Sequence, residues 1–350
     1  MNRGLAKAFT GVGAEARAER VGHWLKSLAG NSESRTWCVA HRVPVTRATG
    51  ESVNQVGGFL APIDFDDAII AVRDTVGAFR NAEVRPSRSD NRVRPRRVGG
   101  LTANFVSEGA SIPESSLQFD AVSATLKKLA ILARSSTELW EDSAPDLAEF
   151  VATEVGYAFA ATEDNCGFNG DGTSTYSGIS GLGAKLTGLK SAIAAASGHN
   201  TFLTLDDTDV ANLMGGVLAT AVPRARWYCS AVGFAQTLCR LAGVSGGLVS
   251  RLQPDGTIEA TYLGFPVEFS SKLPNSTSSL GGQPMLYFGD LRQSSLIVEQ
   301  RAGTIVATSF DRYFDEDQVL VRGTRREDII NHDVGDAGTY GPIAMLVGTN

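Results

Sequence analysis

No apolar run in this sequence reaches the ~20 residues needed to cross a bilayer. The N terminus, MNRGLAKAFTGVGAEARAER, has no apolar h-region of a secretory signal and mixes charges throughout. Both absences set the expectation of a soluble chain that stays in the cytoplasm, with no membrane partner. Basic residues are not in excess either: the formal net charge is -6, which argues against a sequence-wide attraction for nucleic acid. Cysteine is scarce. Cys38, Cys166, Cys229 and Cys239 form no C-x-x-C pair and the four histidines are equally scattered, so no metal site is expected. Cys229 and Cys239 lie in apolar contexts and read as reduced packing residues.

Catalytic signatures are missing as well. Gly170-Asp171-Gly172-Thr173 has the look of a phosphate loop, but it follows a helix and carries no lysine to reach a phosphate. Gly178-Ile179-Ser180-Gly181 lacks the G-x-S-x-G order of a nucleophile elbow. Asp315-Glu316-Asp317 offers carboxylates for a metal, yet a run of adjacent acids is more often a solvated turn. The expectation is a chain that is not an enzyme, with no catalytic residue, no cofactor and no metal.

What is present is enough chain, 350 residues with 43% hydrophobic, to bury one large core or two smaller ones. Its most informative stretch runs from Glu138 to Gly178. Ser143 is placed to cap a helix, Pro145 sits where a missing N–H costs nothing, and Asp146 and Glu149 favour the positive helix end. Leu147, Phe150, Val151, Val155, Ala158, Phe159 and Thr162 recur at three- and four-residue steps, predicting one apolar face over 144–166. The glycines and asparagines from Asn165 to Gly172 then stop the helix.

Elsewhere, Val21, Trp24, Leu25 and Leu28 predict an N-terminal helix. Its few anchors suit docking elsewhere in an assembly, the alternative being packing on its own subunit. Val84 to Leu132 reads as two long strands with an irregular tip, returning as a buried aliphatic strand over Leu126 to Leu132. Asp206 to Leu218 reads as a helix capped by Asp206 or Asp207, and Phe234 to Ala242 as another. Arg226–Ser230, Gly264–Ser270 and Met285–Phe288 read as strands, as does Ser294–Val321 with Ile297, Val298, Ile305, Val306, Val319, Leu320 and Val321 buried. No internal repeat is visible.

ELWEDSAPDL, the helix, EDNCGFNGDGT and GISGL, in that order, resemble the major capsid protein family of tailed bacteriophages. GGFLAPIDFDDAII from Gly57, the segment from Thr102 to Ser143, LGFPVEFSSKLP from Leu263, LYFGDL from Leu286 and FDEDQVLVRGTRREDIIN from Phe314 are similar to that family's pattern in the same order. The resemblance implies an α+β, Hong Kong 97-type fold. Residues 1–58 would be an N-terminal arm, 59–84 the first part of a peripheral (P) domain and 85–125 an extended (E) loop. The P domain would resume over 126–189 with a spine helix at 144–166 and a glycine loop. An axial (A) domain would follow over 190–293, P-domain return strands over 294–330 and a segment assigned to the A domain over 331–350.

The implied function is self-assembly as pentamers and hexamers into an icosahedral virion shell, built in the host cytoplasm. Its implied partners are other copies of the chain, portal and scaffolding proteins, weakly held double-stranded DNA and, left open, a decoration protein. An encapsulin-like nanocompartment or a gene-transfer-agent shell is the alternative, and an α+β enzyme the distant one. Some shells of the family cross-link a lysine near the E-loop tip to an asparagine on a neighbour. Here Glu108 to Pro113 holds no lysine, Asp317-Gln318-Val319 stands at the acceptor and Thr324 at the base, so no cross-link is expected. Candidate inter-subunit contacts are Arg85, Arg88, Arg92, Arg94, Arg96 and Arg97 on the outgoing arm against Asp315, Glu316 and Asp317. A solvated arginine face or phosphate contact are the other readings. Arg322, Arg325 and Arg326 beside Glu327 and Asp328 form a second charged group, with local pairing at least as good a reading.

Overall fold

The computed structural model describes residues 7–45, 59–89, 91–97, 105–106, 111, 114, 119–136, 144–245, 249–253, 258–301, 303–309, 316 and 318–350. Helices α1 (Ala14–Leu28) and α2 (Ser32–Ala40) open the chain, and Asn31 caps α2 by accepting from the Ser34 amide at 2.9 Å. Then come β1 (Phe59–Leu60), α3 (Ile63–Val76), β2 (Glu83–Ser87), β3 (Asn91–Arg97), β4 (Phe119–Thr125), β5 (Lys127–Ser136) and the long α4 (Ala144–Asn169). The middle of the chain holds α5 (Leu182–Leu186), β6 (Ala192–Ala194), α6 (Asp207–Gly215), β7 (Arg226–Cys229) and α7 (231–245), whose central turns are π-helical. Strands β8 (Ser250–Leu252), β9 (Ile258–Tyr262), β10 (Phe265–Phe269), β11 (Pro284–Gly289), β12 (Ser295–Gln300), β13 (Ile305–Ser309), β14 (Gln318–Asn331) and β15 (Ile343–Val347) complete it.

Two sheets and one hairpin result. The first sheet has the order β1-β13-β14-β12-β2, with β5 also on β14, and the second runs β6-β15-β11-β7-β10-β9-β8. Residues 318–327 of β14 pair with β5. The overlapping pairings to β12 and β13 therefore use the opposite edge of β14, one after the other, with 301–304 between them. Odd-numbered residues of β14, from Val319 through Arg325 and Glu327 to Asn331, are all buried.

Helix α4 is covered on more than the one face that its apolar spacing predicts. Leu147, Val151, Val155 and Phe159 are buried with Val319 and Val321, while Ala148, Ala152 and Ala160 are also buried. Gly156 allows α3 to come close, since a Cβ there would meet Val72 Cβ at 2.7 Å. Phe150, expected on the buried face, is 46% exposed, and Thr162 is exposed. The helix also runs past its expected end. Gly167 and Phe168 are buried helical residues because a Cβ at Gly167 would strike the Phe79 ring at 2.4 Å, and Phe168 packs edge-on to Phe79. Gly170 is the stop, its amide donating to the Cys166 carbonyl at 3.1 Å. Ser143, the expected cap, lies outside the described residues.

The N-terminal helices are not free to dock elsewhere. Val21, Trp24 and Leu25 share one core with Phe65, Ile69, Leu147 and Val151 of their own chain. A Cβ at Gly22 would overlap the Ala144 carbonyl, so α1 crosses directly over the start of α4. The expected buried strand after Leu126 is a half-buried one: burial alternates along β5, with Leu129 and Ile131 packed on the core beside α4 and Leu132, on the other face, 55% exposed.

The second sheet has its own core of Trp227, Phe288, Met285 and Leu346. A third cluster, with Phe79, Phe168, Tyr228, Tyr287, Ile297 and Met345, joins the two sheets. Asp206 caps α6 through a reciprocal box with Asp209, its Oδ1 accepting from the Asp209 amide at 2.9 Å. Cys229 is buried and Cys239 half-buried, and burial pushes the Cys229 thiol up to about 12.

Candidate functional site

The arginines singled out in the sequence divide between two places. Arg85 lies in β2 of the first sheet, not on the hairpin, and its Nε donates to Glu83 Oε1 at 2.6 Å. Arg88 is exposed in the turn that follows. Arg92, Arg94 and Arg96 fall at every second position of β3, opposite Ala124, Val122 and Asp120 of β4, and Arg97 is opposite Phe119. Of the expected acidic partners, Asp315 and Asp317 lie outside the described residues. Glu316 stands 3.7 Å from Arg134 of its own chain, an exposed pair worth about 0–1 kcal/mol. The hairpin pairs with itself through seven register positions, and Val93 on β3 is 63% exposed while Phe105 beyond it is fully so.

The strongest electrostatic feature was not among the expected contacts. Arg73 of α3 is fully buried and donates from Nε to Glu163 Oε1 of α4 at 2.7 Å. Its Nη2 also reaches Glu299 Oε1 of β12 at 3.0 Å and Glu327 Oε2 of β14 at 2.8 Å. Arg80, just after α3, donates to Glu299 Oε1 at 2.5 Å and to Asp74 Oδ1 at 2.8 Å. Arg325 donates to Glu299 Oε2 at 2.6 Å and to Asp66 Oδ1 at 2.9 Å. Asp66 also accepts from the Thr304 amide and hydroxyl at 3.2 and 2.8 Å. These charges fill the place where the edge of β14 passes from β12 to β13.

Burial acts on each member. The three guanidiniums overcome burial to hold the Glu299 carboxyl down at about 2. Glu327 is pushed up by burial and by the neighbouring Glu163 carboxylate. Arg73 stays charged: burial opposes its charge, but Glu163, Glu327 and Glu299 more than compensate. For Arg325, contacts to Asp66 and Glu299 thus stand in place of local pairing with Glu327 or Asp328. Asp328 instead accepts from Lys127 Nζ at 2.7 Å and from the Thr125 amide at 2.9 Å. Two signals pointed to the cluster: the Glu163-Asp164 step within an apolar helix, and Arg325-x-Glu327 on the alternation of a buried strand.

A second tie lies one residue along α4. Asp164 accepts from the Phe79 amide at 2.8 Å, the Ala78 amide at 3.3 Å and the Ser270 hydroxyl at 2.5 Å. Burial pushes its carboxyl up to about 6 against those three bonds.

Chemistry-bearing arrangements are few among the described residues. His199, Asp206 and Asp209 offer ligand atoms within 4.8 Å of one another. Asp209 is already engaged, accepting from the Ala196 amide at 2.8 Å and paired with His199 Nδ1 at 2.5 Å, which closes the loop before α6. An open cavity of about 710 Å³ between α6, α7, β8, β9 and the Leu263-Gly264 turn is lined by apolar side chains such as Val210, Met214, Leu252 and Tyr262, with Asp207 and Arg251 as its charged groups. It holds no paired nucleophile and base.

Comparisons with known proteins agree with this architecture. The capsid of an empty GTA particle is 19% identical, with a TM-score of 0.56 over 89% of this chain and 98% of that one. A chain of Microbacterium phage Oxtober96 is 14% identical, with a TM-score of 0.51 over 91% and 100% of the two chains. A chain of Mycobacterium phage Bobi is 16% identical, with a TM-score of 0.51 over 89% and 97%. No curated protein matches the sequence. The fold is Hong Kong 97-type, and the sequence model of the phage capsid family matches residues 57–331, which is most of the chain: this protein belongs to the phage capsid family.

Proposed function

We propose that the chain is the major capsid protein of a tailed bacteriophage, assembling as pentamers and hexamers into an icosahedral shell around double-stranded DNA. The observation that carries the reading beyond the family is the β3–β4 hairpin. It pairs only with itself among the described residues, and it exposes Val93 and Phe105. A long hairpin without a core of its own is costly in a lone subunit and sensible against a neighbour. In this reading α3, α4 and the first sheet form the P domain, the second sheet the A domain and β3–β4 the E-loop. The chain works as a structural subunit, without turnover.

The hairpin arginines Arg92, Arg94, Arg96 and Arg97 meet acids of the Asp315-Glu316-Asp317 turn on an adjacent copy, where linked bidentate pairs give orientation. Portal and scaffolding proteins complete assembly in the host cytoplasm, and a decoration protein is a further candidate partner. No covalent cross-link forms, since Lys127 is spent on Asp328. A gene-transfer-agent shell is the second reading, favoured by the GTA capsid among the solved structures. Expression alone and with neighbouring genes, followed by electron microscopy, tests the proposal. Closed particles support it, and a stable monomer or dimer under both conditions contradicts it. The nucleic acid extracted from native particles separates the readings: one defined phage genome for the first, mixed host fragments for the second.

A further inference from the structure

Glu163 and Asp164 are consecutive in α4, yet Glu163 ties the helix to the first sheet while Asp164 also reaches the second. Glu163 holds Arg73, and through it Glu299 of β12 and Glu327 of β14, all in or against the first sheet. Asp164 accepts from the Ala78 and Phe79 amides, in the turn between α3 and β2 of the first sheet, and reaches the second sheet through the Ser270 hydroxyl: Ser270 follows β10 and donates its amide to Cys229 of β7, both strands of the second sheet. One turn and a half further along, Asn169 Nδ2 donates to the Lys272 carbonyl at 2.7 Å. The first four turns of α4 are held mainly by apolar contacts with α1, α3 and the first sheet. Apolar packing is non-directional and tolerates small rotations, whereas buried hydrogen-bonded carboxylates admit one arrangement.

We propose that the Glu163–Asp164 step is a two-sided clamp that fixes the angle between the two sheets and, resting on the self-assembly reading above, the curvature of the shell. In a closed particle every subunit repeats the same angle, so a small loosening at one clamp recurs in every copy.

The test uses the full chain with three variants. Ser270→Ala removes one hydroxyl from the second-sheet side, Asp164→Asn replaces the whole carboxylate, and Glu149→Gln alters a carboxylate at the other end of α4, where it accepts from the Ala8 and Phe9 amides at 2.6 and 3.1 Å. Hydrogen exchange on unassembled subunits reads the clamp without any shell. Ser270→Ala and Asp164→Asn are expected to speed exchange at the Phe79 and Ser270 amides at least tenfold, and to broaden the particle diameters seen by electron microscopy. Glu149→Gln should do neither. Unchanged exchange in folded Ser270→Ala overturns the clamp, even if wild-type chain forms no particles and the self-assembly reading falls separately. Faster exchange with an unchanged diameter distribution overturns the link to curvature. Should Asp164→Asn not fold, Ser270→Ala alone decides.

Discussion

Arg73 and Glu163 meet at 2.7 Å with neither side chain exposed at all, joining α3 to α4 beneath the first sheet. Two buried ions in one contact are costly to desolvate and catastrophic to separate. Removing one partner of a buried pair costs about 3–5 kcal/mol, because the other is left uncompensated. Arg73→Met should therefore lower unfolding free energy by about that amount, with urea denaturation as the measure. Asp74→Ala, which strips only the exposed acid from Arg80, should cost about 1 kcal/mol or less.

Stability should carry two opposite pH signatures. Glu299, held down at about 2, contributes stability that is complete above its unfolded value near ~4.3 and is lost as pH falls from there towards 2. Asp164, pushed up to about 6, acts the other way: its folded form binds the proton more tightly, so stability falls as pH rises from ~4 to 6. Asp164→Asn removes only the second trend. Relative to wild type, that variant should gain about 3 kcal/mol between pH 4 and pH 6 and then stay level. Urea midpoints at pH 4, 5, 6 and 7 measure it, and parallel curves would refute the assignment.

Close helix contact at Gly156 gives a steric prediction. Gly156→Ala forces α3 off α4 at Val72 and should destabilise by about 1–3 kcal/mol despite alanine's better helix propensity. Gly215→Ala, in α6 with nothing within 4 Å of the new Cβ, should be neutral or gain up to about 1 kcal/mol. Thermal unfolding of the two variants side by side checks the contrast.

Trp24 is fully buried between α1 and the α3–α4 layer. Trp24→Ala should cost about 3–5 kcal/mol, as expected of a core residue and not of a detachable arm. A loss below about 1 kcal/mol would mean that α1 is not seated on its own subunit in solution.

The arginine pairing is tested by charge reversal. Arg96→Glu with Arg97→Glu should block or misdirect assembly at moderate salt while leaving the subunit's unfolding midpoint unchanged. Normal particles from that variant would place the hairpin arginines in solvent or on nucleic acid instead.

Local signals in the sequence were good guides where local chemistry decides the structure. Asp206 does cap α6, β7, β10 and β11 lie within a residue or two of their expected bounds, and α4 begins at Ala144 as its spacing predicts. What failed was set by distant partners. Gly167 reads as a helix stop until Phe79 is seen against it. Spacing puts Glu163 four residues after Phe159 on the covered face of α4 and Glu327 on the buried alternation of β14, but it does not name their common partner Arg73, which lies 90 and 254 residues away in sequence. The alternation of β5 arises because only the face carrying Leu129 and Ile131 packs on the core beside α4, which the aliphatic run within β5 does not record. The family resemblance reached the fold because it sums many such long-range constraints in their chain order.

The most direct measurement of the central claim is electron microscopy with light scattering on the chain expressed with its neighbouring genes. Hollow closed particles of megadalton mass, built from pentamers and hexamers, are the predicted result. A homogeneous monomer or dimer, alone and with those genes, would contradict it.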